Sequence, residues 1–150
     1  MKAHPYSKFI AMLLISFLIM YGVMFLNISQ ADHIYLSMTR FYMTVLMVAP
    51  MALIMLLLMK HMYQNRSVNR VIILISSIAF VLSLAGLRNQ SGIGDRQYLK
   101  AMIPHHSSAI MTSEHAALKD PEVRELADSI IKSQRAEIVQ MKAILKRMSK

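Results

Sequence analysis

The chain has 150 residues, room for one domain, with 17 Lys and Arg against 8 Asp and Glu and a net charge of +9. It has 15 methionines and no cysteine, which excludes disulfides and thiolate ligands and leaves Met and His as its soft metal donors. The basic excess does not point to nucleic acid: residues 88 to 150 hold eleven basic and seven acidic residues, interspersed, with no aromatic-basic pattern.

Composition divides the chain near Leu87, apolar before and amphipathic after. Residues 9–26 form an apolar run close to the ~20 residues that span a bilayer. Ser29-Gln30-Ala31 resembles a signal-peptide cleavage site, but the run exceeds the ~7 to 15 residues of a signal core, so a retained span is expected. Residues 41–59, between Arg40 and Lys60, predict a second span, and residues 71–87, between Arg70 and Arg88, a third. Lys2, Lys8, Lys60, Arg66 and Arg70 stand against Arg40 in the first loop and Arg88, Arg96 and Lys100 after the third span, a modest bias that predicts a cytoplasmic N-terminus and an exported C-terminal part.

Within the second span Met43, Met47, Met51, Met55 and Met59 recur at every fourth residue, a thioether ridge that winds by ~40° per step. It reads either as adaptable packing between spans or as a track for soft metal ions. No charged residue interrupts a span, which argues against a proton relay.

Residues 89–94 read as a linker, and residues 95–150 as two amphipathic helices. Asp95 is expected to cap the first helix and Pro104 to kink it or start a new one. Its inward stripe contains Leu99, Met102, Ile103, His106 and Ile110, with His105 at the edge. Lys119-Asp120-Pro121-Glu122 predicts a turn, an Asp N-cap and Pro at the first helical position. The second helix turns Val123, Ala127, Ile130, Gln134, Ile138, Met141 and Leu145 inward, with Glu137 at the edge. Folding about Asp120 sets His106 opposite Gln134, Met102 level with Ile138 and Met141 near Leu99.

Imidazole nitrogen with thioether sulfur suits Cu(I) or Ag(I), and zinc less well. Gln134 and Glu137 are placed to orient the imidazoles. Met111 and His115, four apart on the outer face, read as a second site, part of an oligomer contact or an ordinary solvated pair.

Met102-Ile103-Pro104-His105-His106-x-x-Ala109-Ile110, Asp120-Pro121-Glu122 and Gln134-x-x-Glu137-Ile138-x-x-Met141 resemble the bacterial domain-of-unknown-function family number 305, over about residues 95 to 148. The resemblance implies an exported, ferritin-like helical domain associated with copper or silver handling. By position it carries over Met102, His105, His106 and Met141 as ligands. Many members have Met where this chain has Thr112, and Met111 stands one position earlier.

The expected fold is all-α: a three-span membrane domain at residues 1–88, then an exported hairpin completed to a four-helix bundle by homodimerisation. The expected function is a protein of the bacterial inner membrane that binds copper, as Cu(I) or Cu(II), or silver, with its C-terminal domain periplasmic or extracytoplasmic, acting in metal tolerance or delivery. The alternative is a metal-independent membrane protein that docks a partner such as a metal-export system. An enzyme is not expected: Glu114 and His115 are adjacent, so the Glu-x-x-His pairs of ferritin-like oxidases are absent, and no nucleophile-base set or phosphate loop is visible.

Overall fold

A computed structural model describes residues 5–149 and is all-helical, with no strand among them. The α-helices are α1 (Pro5–Val23), α2 (Met38–Leu58), α3 (Arg66–Arg88), α4 (Asp95–His115) and α5 (Pro121–Met148), with a short 3-10 helix at Ala31–His33 between α1 and α2. The chain forms two compact units: α1 with Thr39–Gly92, and Met24–Met38 with the residues from Ile93 onward.

In the first unit all three helices are long and apolar enough to cross a membrane. Leu18, Leu58 and Leu82 are among the many large apolar side chains left exposed, an arrangement that water penalises and lipid does not. Its core gathers Phe9, Ala52, Met55, Leu56 and Tyr63. Tyr63 packs between the rings of Tyr6 and Phe9, with centroids 5.4 and 5.2 Å away.

Asn65 caps α3 by accepting from the Ser67 and Val68 amides at 3.0 and 3.1 Å. After α3, Gln90 takes a left-handed φ of 51° and the Ser91 amide returns to the Gly86 carbonyl at 2.9 Å, closing the helix end. The methionine ridge does not keep to one environment. Met43 and Met47 are exposed, Met51 and Met59 half-buried, and Met55 buried in the core.

In the second unit α4 and α5 form an antiparallel hairpin joined by residues 116–120. The Asp120 carboxylate accepts from the Glu122 and Val123 amides at 2.9 and 3.1 Å, with Pro121 opening the helix, as the local chemistry predicts. α4 instead begins at Gly94, with Asp95 as its first helical residue and no side-chain cap. It runs on through Pro104, which is buried, so the proline neither ends nor restarts it.

Leu99, Ile103, Ile110, Ile138, Met141 and Leu145 form the hairpin core, with Met102 and Tyr35 packed against it. Tyr35 belongs to the segment between α1 and α2, which lies as a strap on the hairpin. Residues 24–38 therefore cover part of the face that two helices alone leave open.

Candidate metal centre

His106 reaches across the hairpin from α4. A carbonyl only accepts, so its Nδ1–H donates to the Met102 carbonyl one turn back, at 2.9 Å. Its Nε2 lies 2.7 Å from Glu137 Oε2 on α5. Both ring nitrogens are thereby engaged. Ser133 Oγ donates to the other Glu137 oxygen at 2.7 Å. The Ser133 hydroxyl, and after it His106, holds the Glu137 carboxyl below its ordinary range.

The partner of His106 is therefore Glu137, not Gln134, which is half-buried. The expected pairing assumed a fold point at Asp120; the five-residue, non-helical connection moves it towards α5 and shifts the register by three residues. The same register, one turn further from the connection on both helices, sets Met102 level with Met141 rather than with Ile138. Met141 is buried and Met102 half-buried, both against the apolar core.

His105 is exposed, its ring centroid 5.9 Å from that of His106 at an interplanar angle of 67°. His105, His106 and Glu137 thus stand one helical turn from Met102 and Met141 along the hairpin. Among the described residues no three His, Asp or Glu side chains gather into a group able to hold an ion.

Met111 and His115 occupy the last turns of α4. The His115 Nδ1–H donates to the Met111 carbonyl at 2.9 Å, which leaves Nε2 outward on an exposed ring. Nearby, Arg135 pairs with Glu114, and Arg124 pairs with Asp128 at 2.7 Å.

A second polar cluster ties the strap to the hairpin. Ser107 is fully buried, and its Oγ accepts from the Ser29 amide at 2.8 Å, meets Ser29 Oγ at 3.0 Å and lies 2.8 Å from His33 Nδ1. Asn27 donates to Ser108 Oγ at 2.7 Å, and Lys142 on α5 pairs with Asp32. His33 is buried, and that burial holds its ring below the ordinary histidine value; the Lys142 charge adds to this and Asp32 opposes it. Sequence reasoning placed His33 outside the spans but gave no sign of this contact, which joins residues 74 apart. A serine beside the inward stripe of α4, needing a partner once buried, is the one signal available.

Three helices long and apolar enough to cross a membrane, followed by a helical hairpin, define an all-helical protein compatible with membrane association. The chain belongs to the family described as Domain of unknown function (DUF305), whose model matches residues 77–145. It is similar to a protein of Acanthamoeba polyphaga mimivirus, "Uncharacterized protein L153", at 36% identity over 142 residues, 93% of this chain and 91% of that one. No solved structure matches the chain.

Proposed function

We propose that the protein binds Cu(I) or Ag(I) at the His106 level of the hairpin and passes the ion on, in metal tolerance or delivery, while anchored in a membrane by α1, α2 and α3. The observation that carries this reading is that Met102 and Met141 stand one helical turn from the paired His106 and Glu137, with His105 beside His106. Two thioethers and imidazole nitrogen form a soft, cysteine-free donor set. Nε2 of His106 can serve as a ligand once Glu137 moves aside or turns to hold a neighbouring imidazole. Such ligands exchange readily, which suits carriage rather than catalysis.

The orientation follows from charge: basic residues flank the N-terminal side of α1 and the loop between α2 and α3, so the hairpin faces outward. In a bacterium that is the periplasmic side of the inner membrane. A homodimer, which would complete a four-helix bundle, and delivery to an export system remain part of this reading.

One observation favours a second reading. Both His106 nitrogens already have partners, and Met102 and Met141 pack in an apolar core, as they would in a metal-independent docking domain. Anaerobic Cu(I) titration against a competing chelator separates the two. The metal reading expects tight binding that the His105→Ala, His106→Ala double variant loses; the docking reading expects no binding by either.

A further inference from the structure

The open end of the hairpin carries a charge arrangement unrelated to the His and Met level. Arg96 and Lys100 stand in the first two turns of α4, and Lys142 and Lys146 in the last two turns of α5. Antiparallel pairing brings these ends together. With Asp32 and Tyr35 from the strap, the four cations line a cleft of about 470 Å³.

One carboxylate faces four cations there, and Asp32 is taken by Lys142. Arg96, Lys100 and Lys146 form no ion pair among the described residues. Three unneutralised cations converging on one concave surface repel each other and focus a positive potential into it. Lysines and an arginine around a cleft of this size suit a compact oxyanion.

We propose that this cleft binds a phosphate group, either on an anionic phospholipid or as the free ion. Chain order bears on the source. Tyr35 stands three residues before α2 and Arg96 eight after α3, and the start of α2 and the end of α3 share one membrane face if both helices span. The site itself depends on neither the spanning reading nor the metal.

The test uses the full chain in an uncharged detergent at low salt, titrated separately with dihexanoyl phosphatidylglycerol and with inorganic phosphate. Calorimetry reads the binding, and circular dichroism checks that each variant is folded. Saturable binding of one probe per chain is expected, weakened at least tenfold in Lys100→Gln, Lys146→Gln. It should be retained in Lys100→Arg, Lys146→Arg and in Lys119→Gln, Lys132→Gln, which alters lysines outside the cleft. Binding of the lipid without inorganic phosphate identifies the membrane as the source, and binding of inorganic phosphate shows that the phosphate group suffices. Failure of both probes to saturate, or unchanged binding of both by the glutamine variant, overturns the proposal and leaves the metal reading untouched.

Discussion

His106 and Glu137 meet across the hairpin, ring Nε2 to carboxylate Oε2 at 2.7 Å, while Nδ1–H of the same ring holds the Met102 carbonyl. This one side chain links two turns of α4 to α5. Because the ring is buried, loss of its acceptor on α5 removes a protein partner from Nε2 and is expected to lower stability. Glu137→Gln keeps an acceptor oxygen in reach and Glu137→Leu does not. Thermal melts are expected to rank wild type above Glu137→Gln and Glu137→Leu lowest; equal melting of the two variants would show that the contact is not what holds the ring.

Ser107 is the hub of the strap. Replacing it with alanine strips the Ser29 amide and the buried His33 ring of a shared partner at once. A destabilisation of about 1 to 3 kcal/mol is expected, from one unsatisfied buried group or more. Hydrogen exchange should locate the loss in residues 24–38 and the middle of α4, with little change in α1 and α3.

Acid should loosen the same contact. His33 is held below the ordinary histidine value of 6.5 chiefly by burial, so the open state takes up a proton more readily than the closed one. The strap is then at full stability above that value, weakens as the pH falls through it towards the lowered value, and weakens no further below. Exchange protection of residues 24–38, corrected for intrinsic rates, should fall across that interval in the wild type. His33→Gln, which does not titrate, should remove the slope.

Packing and ligation by methionine can be separated. Leucine is close to methionine in volume, so Met102→Leu and Met141→Leu should each cost less than about 1.5 kcal/mol. On the proposed function the pair of substitutions lowers Cu(I) affinity at least tenfold while the hairpin stays folded. Retained affinity in a folded double variant would assign both methionines to the core alone.

The parts legible in the sequence are those set by local chemistry. Asp120 followed by Pro121 fixes the start of α5 through its own backbone bonds, and the apolar runs announce α1, α2 and α3 by length. The level of the candidate site was legible only approximately. Helical phase gives the face on which His106 lies, but the register against α5 depends on how many connecting residues stay out of helix, and that decided for Glu137 over Gln134. The strap was not legible. Nothing near His33 specifies Ser107 as its partner, because that contact is made by tertiary packing and not by any spacing in the chain.

The central claim is a mixed nitrogen and thioether site in the hairpin, and X-ray absorption at the copper edge of the full chain loaded with one equivalent of Cu(I) tests it most directly. The account predicts a first shell containing both sulfur and imidazole nitrogen. The sulfur contribution should be lost in Met102→Leu, Met141→Leu and the imidazole signature reduced in His105→Ala, His106→Ala. A shell of nitrogen and oxygen alone, or one that all four substitutions leave unchanged, would contradict it.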